Sequence, residues 1–474
     1  MRSKSTLLED WNKALFSCDK PAYIAIAETI ETEIQQGVLK LDDRLPPIRE
    51  LAKGLSLDYT TVARAYQEAQ HRGLITSKAG VGSYVRIRNS SRLDVEPTLI
   101  EMTMNMAPEP QEPEVLARMR HGARHVSEQG NFHRLTRYQD FGGSEDDQRA
   151  AASWLKGISP HHEGRTVLVT PGIQATLAGL MTALVGTGNT LCAESITYPG
   201  VKAMAGLLGI KTLGIPNDSE GILPDALEAH CRINKVRALY LNPTIQNPTT
   251  RTISEPRRRE LVEVARRFGL KIIEDDPYSK LMRNPPTSFA SLAPELTYYV
   301  NGLSKTCSAG LRIAFLVCPS ELESKRIASS LRATQIMASP MCSALATQWI
   351  LDGTAQMCLD SIRLMSQRRQ IIAKRILGDF KIESNPEGFH LWLNLPSMWN
   401  QSAFCGRLLN RGIAIASADM FCLEGATPNA VRLSLGGNLS DERLEHTLRI
   451  VAETLNSHPS SSVRSTNEFT ARGH

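Results

Sequence analysis

Aromatic residues make up only 5% of this 474-residue chain, and no apolar run approaches the ~20 residues that a bilayer-spanning helix needs. A membrane span is excluded on that ground. The first ten residues carry Arg2, Lys4, Glu9 and Asp10, and no apolar core follows them, so a secretory leader is not expected. Cysteine is too scattered for a disulfide framework: nine residues, at 18, 192, 231, 307, 318, 342, 358, 405 and 422, include no Cys-x-x-Cys pair. Reduced thiols in a cytoplasmic protein, with no bound metal, are the expectation. A large surplus of either charge is also lacking, since 54 Lys and Arg against 49 Asp and Glu leave a net +5. That surplus names no nucleic-acid partner unless the basic residues cluster on one face. What remains, 42% hydrophobic and 22% charged residues, is the composition of a globular protein of two or three domains.

Composition shifts divide the chain into an N-terminal extension (1–20), a helix-rich block (21–88), a connector (89–114), a long α/β region (115–456) and a Ser-rich tail (457–474) expected to be disordered. The connector reads as extended because Asn89, Ser90 and Ser91 are followed by Pro108, Pro110 and Pro113 among acidic and amide side chains. In the α/β region, 166–170, 190–193, 236–241 and 271–274 are short apolar runs of buried-strand type. Helical stretches lie between them, at 174–185 and at 256–268, where Ser254 is the expected N-cap.

In the helix-rich block, Ile26, Ile30 and Ile34 recur at helical spacing and Gly37 closes the run. Two prolines precede a second short helix that stops near Gly54, and Asp58 is placed to cap a third, 59–72. That third helix puts Val62, Ala65, Tyr66 and Ala69 on one face and leaves Tyr59, Thr60, Arg64 and Gln67 for the other, which is helix-turn-helix geometry. Period-two segments 74–78 and 83–88 around Ala79-Gly80-Val81-Gly82 then read as a hairpin wing. From Tyr59 to Arg88, Arg64, Arg72, Lys78, Arg86 and Arg88 face one acid, Glu68, so the basic surplus concentrates here.

The stretches LPPIRELAKGL, TTVARAYQEAQHRGL and KAGVGSYV resemble the winged helix of GntR-type transcription regulators. The resemblance implies a double-stranded DNA partner contacted by Arg49, Tyr59, Thr60, Thr61 and Arg64, with Gly80 and Gly82 letting the wing backbone approach the minor groove. Tyr59 stands where the family usually has Arg, which removes a guanine reader at that position.

In YYVNGLSKTCSAGLRIAFLVCP (298–319), apolar strands flank a polar centre that delivers Lys305 to a cleft and returns Arg312 seven residues later. A lysine beside a fixed cation has a depressed pKa, which suits an amine that forms a Schiff base. The segment resembles the lysine motif of fold-type I pyridoxal-phosphate aminotransferases, which implies that Lys305 binds the cofactor aldehyde and that Ser304 and Arg312 hold its phosphate. The same resemblance makes Gly172, Ile173 and Gln174 a phosphate cradle at a helix N-terminus, Tyr198 the residue stacked on the ring, and Asn247 and Tyr278 the partners of its phenolic oxygen. Asp275 is the expected partner of the ring nitrogen and Asp276 the alternative, because the doubled acid leaves the register open by one position. Lys305, Asp275 and Tyr198 thus form the expected catalytic set. Arg432, alone in an apolar strand, is the expected clamp for an amino-acid carboxylate, and Tyr138 is expected to reach a neighbouring subunit's phosphate across a homodimer. Gly302, Thr250 and Ile196 depart from the family's usual Ser or Thr, Gly and Pro.

A winged helix fused to an aminotransferase-like domain resembles the MocR subfamily of GntR-type regulators. The fold class expected is α/β: an N-terminal winged helix-turn-helix, then a fold-type I domain with a large, mostly parallel sheet and a smaller C-terminal α+β subdomain. The function implied is a pyridoxal-phosphate-dependent transcription regulator that senses an amino acid, an amine or the cofactor itself through Lys305. The alternative is a working aminotransferase with an accessory N-terminal block.

Overall fold

The computed structural model describes residues 11, 20–35, 38–40, 43–78, 82–85, 99–130, 132–157 and 167–459, and the chain divides into two compact units, 1–98 and 99–474. In the first unit, α1 (Ala22–Gln35), α2 (Ile48–Leu55) and α3 (Tyr59–His71) precede an antiparallel hairpin of β1 (Ile75–Lys78) and β2 (Gly82–Val85), in register from Ile75↔Val85 to Lys78↔Gly82. The four residues expected on the inner face of α3 are the ones buried there, packed with Ile26, Ile30, Leu51, Leu55 and Val85. Each large aliphatic buried in this way stabilises by about 1.5–3 kcal/mol. Asp58 caps α3 by accepting from the Thr60 N–H at 2.7 Å, and the buried Tyr66 hydroxyl donates to the Pro46 carbonyl at 2.7 Å, fixing the proline turn onto the helix. The expected cap Gly37 lies outside the described residues.

The second unit is built on a seven-stranded sheet. Its strands are β4 (Val167–Thr170), β5 (Thr190–Glu194), β6 (Lys211–Ile215), β7 (Val236–Leu241), β8 (Lys271–Asp275), β9 (Thr297–Gly302) and β10 (Ala314–Val317), in the order β4-β10-β9-β8-β7-β5-β6. β10 runs antiparallel to both of its neighbours and the other pairings are parallel, which agrees with the mostly parallel sheet expected. Most residues of these strands are buried, with apolar side chains packed into clusters on the two faces of the sheet. A smaller antiparallel sheet near the C-terminus contains β12 (His390–Asn394), paired to β11 (Ile382–Ser384) on one side and β15 (Ala430–Ser434) on the other; β14 (Ala416–Ser417) flanks β15.

The connector proves shorter than composition suggested. Residues 89–98 lie outside the described part, but β3 (Ile100–Glu101) pairs in parallel with β13 (Ile413–Ala414), Pro108 bridges to Gly437, and Pro113 opens helix α4 (Pro113–Glu128). Prolines and polar residues did indicate an extended chain there; its backbone donors go to a neighbouring strand instead of water, with Ile100 N donating to Gly412 O at 2.7 Å and Met102 N to Ala414 O at 2.9 Å. Ser254 occupies the N-cap position of the expected helix, Glu255–Phe268, yet its hydroxyl donates to Glu220 at 2.8 Å instead of receiving a helical N–H. Most of the tail, 460–474, is also outside the described residues.

Candidate functional site

In a parallel sheet the strand ends that carry the carbonyl termini converge on one crevice, where open α/β folds bind ligands. Here the chain after β4 supplies Gly172, Ile173 and Gln174, that after β5 supplies Tyr198, that after β7 Asn242 and Asn247, and that after β9 Ser304 and Lys305. Together with Asp275, Tyr278, Arg312 and Arg432 they line one cavity of about 360 Å³. The residues expected to hold the cofactor are thus gathered in one place, apart from Tyr138. That residue is 78% exposed and lines a separate cleft with Arg134, Arg137 and Arg332.

The doubled acid resolves by strand alternation. Asp275 faces the cavity, whereas Asp276 is turned away, near Ser279 and the Tyr299 hydroxyl. Asp275 accepts from the Tyr240 hydroxyl at 2.6 Å through one oxygen; its other oxygen is buried and has no partner. Burial pushes the carboxyl up to about 7, against the Tyr240 hydrogen bond and the attraction of Lys305. A buried carboxylate oxygen aimed into a cavity without a partner fits a cationic N–H such as a pyridinium.

Lys305 ends the short turn Leu303–Lys305, and its ammonium donates to the Asn105 carbonyl. Burial, with Arg432 and Arg312 nearby, lowers its pKa to about 8, so the free amine becomes the main form only at mildly basic pH. Gly172, at φ +97°, starts helix α5 (Ile173–Leu184); a Cβ on it would lie 3.0 Å from Arg312 Nη2. Its own N–H donates to the Thr170 carbonyl at 2.8 Å. The first-turn N–H groups of Ile173 and Gln174, which helix geometry leaves without an intrahelical acceptor, together with Arg312 make an anion cradle of the kind a phosphate needs. Charge, orphan oxygen and cradle together fit pyridoxal phosphate.

Arg432, on β15, is buried; its Nη1 donates to Asn247 Oδ1 at 2.8 Å, its Nη2 to the Thr103 carbonyl, and its Nε has no partner. Burial lowers its pKa to about 10, which leaves it charged. Asn247, held through its oxygen, keeps its amide N–H groups for the cavity. Tyr198 stands just before helix α6 (Pro199–Leu208), and a Cβ on Gly200 would come within 2.3 Å of its ring, so the glycine is what lets the ring fold back. Gly302 is glycine for a similar reason: a Cβ there would sit 3.0 Å from the Ile313 carbonyl oxygen.

Sequence reasoning missed Asn105 and His390. Asn105 Nδ2 donates to the Tyr278 hydroxyl at 2.9 Å and to His390 Nδ1 at 3.2 Å, while His390 Nε2 donates to the Gln246 carbonyl at 3.1 Å. Burial and Arg432 keep His390 neutral, with a pKa near 3. Asn105 had no strand-end or motif signal, because it contacts residues 173 and 285 positions away.

In the first unit Arg49, Tyr59, Thr60 and Arg64 are exposed, and Thr61 is partly so. The Thr60 hydroxyl is held by Asp58 at 2.5 Å, and Arg64 stacks 4.5 Å from the Tyr23 ring centroid. Arg72 is spent otherwise, paired with Glu68 at 2.7 Å and Glu31 at 3.4 Å, so it adds little to the basic face. Gly82, at φ +126°, lies against Arg44, a cation not picked out from the sequence. Gly80, Arg86 and Arg88 are outside the described residues.

Residues 98–451 match the family described as aminotransferase class I and II, and residues 22–85 match the bacterial regulatory proteins of the gntR family. The HTH-type transcriptional regulator YdeF of Bacillus subtilis (strain 168) is 28% identical over 451 residues, which span 94% of this chain and 96% of that protein. The vitamin B6 salvage pathway transcriptional repressor PtsJ of Salmonella typhimurium is 26% identical over 442 residues, 91% of this chain and 98% of its own. Among solved structures, the α-aminoadipate aminotransferase LysN of Thermus thermophilus, complexed with N-(5'-phosphopyridoxyl)-L-leucine, superposes with a TM-score of 0.68 at 23% identity over 78% of this chain and 95% of that one. The multiple substrate aminotransferase of Thermococcus profundus gives 0.69 at 20% over 77% and 93%, and both likenesses establish the fold. With a family match across three quarters of its length behind a gntR-family helix-turn-helix, the chain belongs to the aminotransferase class I and II family in the form carried by MocR-type GntR regulators.

Proposed function

We propose that this protein is a pyridoxal-phosphate-dependent, DNA-binding transcription regulator whose second unit senses an amino acid, an amine or the cofactor itself. The observation that carries the reading is a complete lysine, carboxylate and arginine cavity on the same chain as a winged helix. Bound there, pyridoxal phosphate supplies an electrophilic carbonyl carbon and an electron-withdrawing ring. Lys305 would present the amine toward that carbon, Asp275 would keep the ring nitrogen protonated, and Tyr198 would pack against the ring. Asn247 and Tyr278 would hold its phenolic oxygen, and Ser304, Arg312 and the first turn of α5 would hold its phosphate. Arg432 orients an effector through its carboxylate. A relative named for repression of vitamin B6 salvage supports the cofactor as one of the signals.

The exposed Tyr138, in a cleft of about 760 Å³ lined by Arg134, Arg137 and Arg332, supports a homodimer in which it reaches a second copy's phosphate site. Arg49, Tyr59, Thr60, Thr61, Arg64 and Gly82 would form the DNA face, with Gly80 outside the described residues, so the protein would work where the DNA is, in the cytoplasm. Differential affinity of the effector for two states of the protein is what transmits its binding to the DNA unit.

The test is binding of DNA from the protein's own promoter region, measured with and without pyridoxal phosphate and with a panel of amino acids and amines. Operator affinity indifferent to all of them, or an absorption spectrum of the cofactor-loaded protein that Lys305→Ala leaves the same as in the natural protein, refutes the proposal. Steady amino-group transfer to a 2-oxo acid without sequence-specific DNA binding supports the enzyme instead.

A further inference from the structure

The cavity is crossed by the chain's own segment Thr103–Met106, which touches the two cations through its backbone. The Thr103 carbonyl accepts from Arg432 Nη2 and the Asn105 carbonyl from Lys305 Nζ. Both ends of the crossing are fastened. On the N-terminal side Ile100 and Met102 donate to the strand at 412–414, and Ser434 N donates to the Met102 carbonyl at 3.2 Å. On the C-terminal side Gly437 N donates to the Ala107 carbonyl at 3.0 Å, and the Met106 carbonyl seats so closely on Gly436 that a Cβ there would be 1.7 Å away.

The hydrogen-bond pattern at Arg432 is uneven in an informative way. Nη1 is taken by Asn247, so the edge left for a side-on, two-pronged carboxylate is the one formed by Nε and Nη2. Nε on that edge is buried and unpartnered, and Nη2 carries the Thr103 oxygen. A peptide carbonyl is a neutral substitute for one carboxylate oxygen, so Nη2 on that edge already has an acceptor supplied by the protein itself.

We infer that the Thr103 carbonyl is an internal competitor for the effector: an α-amino acid that takes the Nε–Nη2 edge of Arg432 with its carboxylate displaces the Thr103–Met106 strap. The inference rests on the reading of Arg432 as the effector clamp. It adds a direction for the signal, because the strap follows β3, the first described element after the connector from the winged helix. Asn105 acts as a positioning residue, since its amide ties the strap to Tyr278 and His390.

The experiment uses full-length holo-protein and 4-methylpentanoate, a carboxylate with no amine to react at Lys305. Calorimetry reads the Kd, and hydrogen–deuterium exchange reads peptides spanning 99–108. Saturating carboxylate is expected to raise exchange of the Met104–Met106 amides several-fold. Gly436→Ala, which cannot accommodate the seated Met106 carbonyl, is expected to bind the carboxylate about tenfold more tightly, the factor carried by one charge-assisted hydrogen bond. Binding with unchanged or slowed exchange in this segment overturns the competition and leaves the clamp standing. No binding, or binding that survives Arg432→Gln, overturns both. If Gly436→Ala does not fold, the exchange measurement on the natural protein decides alone.

Discussion

Replacing Asp275 by Asn is expected to move two properties in opposite directions. The carboxyl is raised from 3.8 to about 7, chiefly by burial, so the folded apo-protein holds that proton more tightly than the unfolded chain does. Stability contributed by the protonated form is therefore complete below pH 4 and lost as pH rises to about 7. At about 1.36 kcal/mol for each tenfold change in proton affinity, the loss is on the order of 4 kcal/mol. Asn keeps the shape and an oxygen for the Tyr240 hydroxyl but does not ionise. Its amide N–H groups replace an oxygen that had no partner, at a cost of about 1–2 kcal/mol. The apo-variant should thus match or trail the natural protein slightly at pH 4 and exceed it by roughly 2–3 kcal/mol at pH 8. Denaturant unfolding of both apo-proteins from pH 4 to 8, followed on the second unit, measures this difference. Glu194 and Glu274, also raised by burial, bend both curves alike and cancel. Affinity for pyridoxal phosphate should fall at the same time by about 10- to 100-fold, because the ring nitrogen loses a charged partner. A variant less stable than the natural protein at pH 8 refutes the uncompensated burial, and unchanged cofactor affinity refutes Asp275 as the ring's partner.

The capture of added pyridoxal phosphate by apo-protein, followed by stopped-flow absorbance, should accelerate with pH through about 8, where Lys305 becomes the free amine, instead of near 10.5. Arg432→Gln removes a cationic neighbour and should shift that profile to higher pH. Gly172→Ala, which forces a Cβ against Arg312 at φ +97°, should weaken cofactor binding by at least about tenfold with the fold retained, as calorimetry and circular dichroism would show. Gly200→Ala should push the Tyr198 ring out of position and alter the bound cofactor's absorption spectrum. Arg64→Ala should lower operator affinity and flatten its salt dependence by about one unit of log–log slope, whereas Arg72→Ala, whose charge is already paired, should leave that slope nearly unchanged.

Periodicity and strand-end logic carried the reading wherever function is set by local sequence. The buried face of α3 followed from 3.6-residue spacing, whereas Lys305, Asp275 and the α5 cradle were singled out by the resemblance to fold-type I aminotransferases, with their places at or near strand ends in support. The Asp275 or Asp276 choice stayed open because alternation along a strand needs a fixed starting register, which the sheet supplies through the Ile273↔Tyr298 and Glu274↔Leu241 pairings. Asn105 was illegible for another reason: its role lies in a backbone carbonyl and an amide reaching partners far along the chain, and prolines at 108, 110 and 113 made its neighbourhood resemble a free connector. Gly200 and Gly302 were visible as letters, but the atoms that exclude a Cβ there come from a neighbouring ring and an adjacent strand.

The cavity is assembled from residues that span Thr103 to Arg432, and the last of them lies on β15. During synthesis the winged helix is therefore complete several hundred residues before the arginine that closes the sensing site is added. Under the proposed function, a chain that stops between those points carries a DNA head with no means of being addressed by a metabolite. Ligand responsiveness would in this sense also certify synthesis as far as Arg432: only a chain that has packed β15 against β12 has the complete cavity.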